Sequence, residues 1–141
     1  MTSLKLPNVI IAGAPKSGSS SLFYWLSAHP EVCGTKVKET HFFNDRVIER
    51  FNGRANAHQH ELTAYSQYFA HCPSDAKVVA EATPMYLYFD TPIRETQKWE
   101  KPPRFVFVLR EPAKRAYSQF RFNKYRLGNI PLKKSYPDYL K

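Results

Sequence analysis

An α/β fold, a parallel sheet flanked by helices, is what this sequence predicts. Three observations predict it. Short apolar runs rich in β-branched residues alternate with segments whose apolar residues recur at helical spacing. The first run, Asn8 to Gly13, passes through a glycine-containing turn straight into a helical segment. The strongest run, Arg104 to Leu109, leads into a second long helical segment in the same way. Strands alternating with helices imply a parallel sheet.

Asn8 to Gly13 (Asn-Val-Ile-Ile-Ala-Gly) is continuous rather than alternating, as a strand buried on both faces should be. The turn Ala14 to Gly18 follows, then a helix over Ser19 to His29 with Leu22, Phe23 and Leu26 on one side and Pro30 closing it. Val32 to Lys38 read as loop or a short extended piece, and Glu39 to Asp45 mix polar and aromatic residues. A helix over Glu61 to His71 would put Leu62, Tyr65 and Phe69 on one face. Val78-Val79-Ala80 mark a strand within Lys77 to Ala82, and Thr91 to Trp99 read as a helix with Pro92 in its first turn. After Arg104 to Leu109, a helix is expected from Pro112 to Tyr125, with Gly128 just beyond. Asn129 to Lys141 is polar, contains proline and shows no closing element.

Composition narrows the field. With 141 residues, one domain with a real core is expected over 1–141, and two ordinary domains are excluded. A hydrophobic content of 43% with 15% aromatics is too rich for a disordered chain. There is no run of about 18 apolar residues to span a membrane, and the N-terminus lacks the apolar core of a signal peptide. Cys33 and Cys72 cannot make a disulfide framework and match no zinc spacing, so a reducing, cytoplasmic setting is the expectation. The net charge of +9 is one-sided. Residues 1–97 carry nine basic and nine acidic side chains, residues 98–141 twelve and three. Such a field favours anionic ligands, though a solvated basic face would give the same count.

Two segments carry chemistry. In Gly13-Ala-Pro-Lys16-Ser-Gly18-Ser-Ser-Ser21, a strand–loop–helix setting turns backbone N–H groups toward a helix N-terminus that favours an anion. Gly18 permits close approach, Lys16 adds a point charge, and Ser19, Ser20 and Ser21 offer hydroxyls that can also cap the helix. The outer glycines match the spacing of a nucleotide-triphosphatase P-loop, but Ser19 stands where that motif has lysine, which disfavours a magnesium-dependent NTPase. A plain serine-rich cap is the alternative. The second segment, Arg110 to Arg121, follows the strongest strand. Ala113, Ala116 and Phe120 share one side of its helix, while Lys114, Ser118 and Arg121 share another. Arg110 and Ser118 can then converge on a phosphate outside the strand ends. An amphipathic helix with a solvated basic face is the alternative.

Taken together, these motifs resemble the sulfotransferases that use 3′-phosphoadenosine-5′-phosphosulfate (PAPS). Pro15 to Leu22 is similar to their 5′-phosphosulfate loop, and Phe105 to Ser118, with Arg110 and Ser118 eight apart, to their 3′-phosphate motif. Lys38-Glu39-Thr-His41-Phe42-Phe43 and Glu81-Ala-Thr-Pro84-Met-Tyr86 resemble segments of the carbohydrate members, the heparan sulfate type especially. The resemblance implies a P-loop nucleotide-kinase-like fold, incomplete here because the chain stops soon after the 3′-phosphate motif. It implies PAPS as sulfuryl donor, no metal, and a hydroxyl or amine acceptor, a carbohydrate above all. Lys16 would stabilise the leaving phosphate, with Ser17, Gly18, Ser19, Ser20 and Ser21 cradling the 5′ end. Arg110 and Ser118 would hold the 3′-phosphate.

Glu39 would be the general base if desolvation raises its pKa, with His41 supporting or replacing it. The alternatives are a surface Glu39 paired with Lys36 or Lys38 and a structural His41 beside core Phe42 and Phe43. Ala82 stands where carbohydrate members often carry lysine. No specific nucleic-acid partner is expected, and the oligomeric state is open. Two other functions stay in view: a P-loop nucleotide kinase-like phosphotransferase, and a non-enzymatic polyanion-binding module using residues 98–141.

Overall fold

The computed structural model describes residues 4–46 and 54–141. It falls into two compact units, Met1–Val108 and Leu109–Lys141. The first holds strands β1 (Val9–Gly13), β2 (Val32–Gly34), β3 (Val78–Ala82) and β4 (Arg104–Phe107), with helices α1 (Ser19–Ser27), α2 (Leu62–Ser66) and α3 (Thr91–Thr96). All four strands run parallel in the order β2-β3-β1-β4. Ile10 of β1 stands opposite Glu81 of β3 and Phe105 of β4.

Side chains alternate across a strand, so β1 feeds two cores. Ile10 and Ala12 point to one face, packing with Phe42, Phe43, Tyr65, Phe69, Val79 and Tyr86. Ile11 points to the other, with Ala80, Ala82 and Phe23 of α1. Burial on both faces is why β1 reads as a continuous apolar run. Phe42 and Phe43 belong to the core, as expected.

Several elements are shorter than the sequence suggests. α1 ends at Ser27 rather than His29. Past Ser66, α2 tightens into a 3-10 turn, Gln67–Phe69, instead of continuing to His71. α3 stops at Thr96, whose hydroxyl bonds back to Pro92 O (2.7 Å). β4 ends at Phe107, leaving Leu109 exposed. The short extended piece after α1 is a true strand, β2, paired with β3.

One long-range bond corrects the sequence reading. Cys33 on β2 and Cys72, just past the 3-10 turn, form a disulfide across 39 residues. Two cysteines that far apart carry no local signal of pairing. His71 lies against both sulfurs, but these are joined to each other.

The second unit contains α4 (Pro112–Tyr125) and α5 (Tyr136–Tyr139). α4 has the predicted bounds. α5 was not expected; Ser135 caps it, and Tyr136 and Tyr139 pack on Phe120. Of the side of α4 expected to pack, only Phe120 is fully buried, while Ala113 is exposed.

Candidate active site

Three connections leave the carboxyl edge of the sheet in the first unit. The first follows β1. Ala14 N donates to Val108 O and Val108 N to Gly13 O, both at 2.8 Å, so the ladder with the β4 side continues to the mouth of the loop. Lys16 and Gly18 then adopt positive φ, +64° and +102°. At Gly18 an added Cβ would meet nothing within 4 Å, so the demand for glycine comes from backbone conformation and leaves open space.

α1 starts at Ser19 with no side chain capping it and no acidic residue in its first turn. The expectation that Ser19, Ser20 and Ser21 cap the helix is therefore corrected. Ser19 is buried and Ser20 and Ser21 are exposed, but none returns a cap bond. The hydroxyl of Ser17 is buried and has no hydrogen-bond partner among the described residues. A positive helix end, an unpartnered hydroxyl and the Lys16 ammonium gather in one loop, and that donor set fits a phosphate- or sulfate-bearing group.

The second connection is the turn after β2. Glu39 and His41 both hold positive φ, +63° and +56°, on either side of a fully buried Thr40. The backbone of the turn is tied from outside: Glu39 N donates to Ala82 O (2.9 Å), and Arg54 Nη1 donates to Glu39 O (2.7 Å). Lys38 Nζ sits on Glu39 Oε1, and His41 Nε2 lies 3.5 Å from Glu39 Oε2. Asn44 Nδ2 lies 3.2 Å from His41 Nδ1, on the far side of the ring from Glu39.

These neighbours decide the protonation of Glu39. The His41 hydrogen bond above all, helped by Lys38, holds its carboxyl at about 2 against the opposing effect of burial. The sequence expectation of a raised pKa is thus reversed. Glu39 does pair with Lys38, but it also engages His41, which pairing with a surface lysine alone would not do.

The third connection is the block after β3, a 3-10 segment Pro84–Tyr88. The strand that leads into it, β3, carries a residue that has no role in the sequence-based expectations. Glu81 is fully buried in mid-sheet and bonded by Thr40, Thr83 and Tyr65. A glutamate inside an apolar strand, Val78-Val79-Ala80-Glu81-Ala82, was the available signal.

Arg110 and Ser118 lie in the second unit, Arg110 just before α4 and Ser118 within it, on either side of the Glu111 cap that closes the helix N-terminus. Glu111 accepts from Ala113 N (2.9 Å) and Lys114 N (2.8 Å), and those backbone bonds lower its pKa.

Comparison with known proteins gives a consistent family. A family model described as "Sulfotransferase family" matches residues 7–99. A membrane-associated sulfotransferase, kil1, of Dictyostelium discoideum is 30% identical over 122 residues, covering 85% of this chain and 24% of the relative. A bifunctional heparan sulfate N-deacetylase/N-sulfotransferase 1 of Caenorhabditis elegans is 31% identical over 121 residues, covering 84% and 13%. The crystal structure of a sulfotransferase from Alicyclobacillus acidocaldarius superposes with a TM-score of 0.77 at 28% identity, over 96% of this chain and 56% of that one. The chain thus spans about a quarter or less of the length of these two sequence relatives. The cytoplasmic expectation is overturned, since the amoebal relative is membrane-associated; disulfides such as Cys33–Cys72 are in general rare in reducing compartments. No helix among the described residues is long and apolar enough to cross a membrane.

Proposed function

The chain belongs to the sulfotransferase family, and from that premise we propose that it transfers a sulfuryl group from PAPS to a hydroxyl or amine of a carbohydrate. The observation that carries this reading is the loop after β1. Its helix end lacks a side-chain cap, its Ser17 hydroxyl is buried without a partner, and Lys16 stands within it. The named activities of the heparan sulfate relatives support a glycan acceptor. A magnesium-dependent kinase is disfavoured by Ser19 in the position of the P-loop lysine.

When bound, the donor supplies an activated sulfuryl group attached to a 5′-phosphate. Lys16 and the first-turn N–H groups of α1 orient that phosphate and stabilise the negative charge that builds on it as the bond to sulfur lengthens. Ser17, Ser19, Ser20 and Ser21 are the hydroxyls available to position its oxygens. Glu39 takes the proton from the acceptor at a carboxylate oxygen. It is ionised at neutral pH, as a base must be. His41 orients Glu39. Arg110 and Ser118 bind the 3′-phosphate that distinguishes this donor from simpler adenine nucleotides.

Calorimetry with adenosine 3′,5′-bisphosphate against 5′-AMP tests the reading. A charge-assisted hydrogen bond contributes about 1.5–3 kcal/mol, so the bisphosphate should bind about tenfold or more tightly. Equal affinity for both, or salt-sensitive binding of any polyanion without that preference, would refute the donor assignment.

A further inference from the structure

We propose that Glu81 is the positioning residue of the Glu39–His41 pair: it sets their relative placement by gripping Thr40 between them. The inference rests on the reading of Glu39 as the acceptor-activating group. Glu81 touches neither donor nor acceptor site directly; it acts through the turn.

The hydrogen bonds define the device. Thr40 Oγ1 donates to Glu81 Oε1 at 2.6 Å, and Thr83 Oγ1 donates to the same oxygen at 2.5 Å. Tyr65 OH donates to Oε2 at 2.8 Å. Thr40 Oγ1 also lies 3.2 Å from Tyr86 OH, which accepts from Phe43 N at 3.2 Å. His41 N donates to Thr83 Oγ1 at 3.4 Å. The partners come from the 39–43 turn, from β3 and the block after it, and from α2, and they meet at one carboxylate.

Two physical points make this more than a buried polar cluster. Non-glycine residues with positive φ persist only where their surroundings over-determine them, and here two of them flank Thr40, the residue of that turn that bonds Glu81. A buried carboxylate is also costly, and the same hydroxyls could be packed away by smaller changes. Three hydroxyls meet two oxygens, a pattern that an acceptor-only group completes with every hydroxyl donating. Glutamine would offer one acceptor oxygen and present an NH2 toward Tyr65. Burial raises the Glu81 pKa overall, against the hydroxyl bonds of Thr40, Thr83 and Tyr65, which pull it down.

The test uses Thr40→Val, which removes the gripped hydroxyl at constant shape, and Thr40→Ser, which restores it, each in the full-length protein. The acceptor probe is a de-N-sulfated heparan sulfate oligosaccharide. Thr40→Val should lower kcat at least tenfold while KM and the bisphosphate Kd stay within about twofold, and Thr40→Ser should return kcat to within about threefold of the parent. A second readout is independent of turnover. In the parent, Glu39→Gln should move the His41 ring resonances in 1H–13C spectra; in the Thr40→Val background it should not, because the two groups no longer face each other.

Parental kcat in Thr40→Val, or an intact His41 response to Glu39→Gln, overturns the proposal. So does a parallel loss of Tm, bisphosphate affinity and kcat without rescue by Thr40→Ser, which would make Thr40 a fold residue. If Glu39→Gln by itself keeps parental turnover, the base reading fails instead, and the resonance experiment still decides whether Glu81 and Thr40 place the pair.

Discussion

The helices α1 and α4 each follow a strand and each begin near basic residues, yet their N-termini are finished in opposite ways. α1 has no capping side chain and no acidic residue in its first turn. The first N–H groups of α4 are taken by the Glu111 carboxylate. A helix end that supplies its own anion has little reason to recruit another, because the same N–H groups and the same dipole are already satisfied. An end left without one keeps those donors for a ligand. Of the two ends, α1 is the one that keeps backbone donors for an anion. In the proposed function the second unit contributes side chains, Arg110 before α4 and Ser118 within it, rather than the helix terminus.

The largest expected effect lies on the α1 side. Lys16→Ala should lower turnover by about 10²–10³ in the full-length protein, the usual cost of losing one donor aimed at developing charge. The bisphosphate Kd should change much less, because that interaction strengthens in the transition state. A variant with weakened nucleotide binding and normal turnover at saturation would reduce Lys16 to a binding residue.

A smaller effect contrasts the two ends directly. Ser17→Ala deletes a buried hydroxyl without a partner, so Tm should hold or rise while bisphosphate affinity falls about three- to tenfold, the worth of one ordinary hydrogen bond. Glu111→Ala deletes a partnered cap, so Tm should fall. Thermal melts paired with calorimetry would break the comparison if Ser17→Ala were the destabilising variant.

The smallest effect is in acid. The pKa of Glu39 is depressed from 4.5 to about 2, so its contribution to stability is complete above 4.5 and lost as pH falls through about 2. The carboxylate is 39% exposed, so solvent screening keeps the contribution small. Glu111 is depressed in the same direction by its cap bonds. Chemical denaturation between pH 5 and pH 2 should show a shallower decline for Glu39→Gln than for the parent. An unchanged slope would mean that His41 and Lys38 do not hold Glu39 ionised.

How much was legible in advance varied with the range of the interaction involved. The bounds of α4 were readable because Pro112 opens the helix and Gly128 lies just past its end, both local rules. β1 and the loop after it were readable for the same reason. The cap of α4 was within reach as well, since Glu111 precedes Pro112. The 3-10 ending of α2 and the short α5 were not, because their apolar patterns admit longer or no helix and packing alone chose the length.

The sequence by itself determined the alternation of strand and helix, the parallel sheet, and the residue types of the loop from Gly13 to Ser21. Side-chain period, backbone permissiveness and helix ends are properties of neighbours along the chain. Only the tertiary structure decided the strand order β2-β3-β1-β4 and the Cys33–Cys72 bond, which joins residues 39 apart. It alone decided the grip of Glu81 on Thr40, 41 residues apart, and the direction of the Glu39 pKa. Burial tends to raise a carboxyl and a facing cation to lower it. For Glu39, a positive-φ turn held from β3 aims His41 at the carboxylate, and that geometry lets the hydrogen bond outweigh burial.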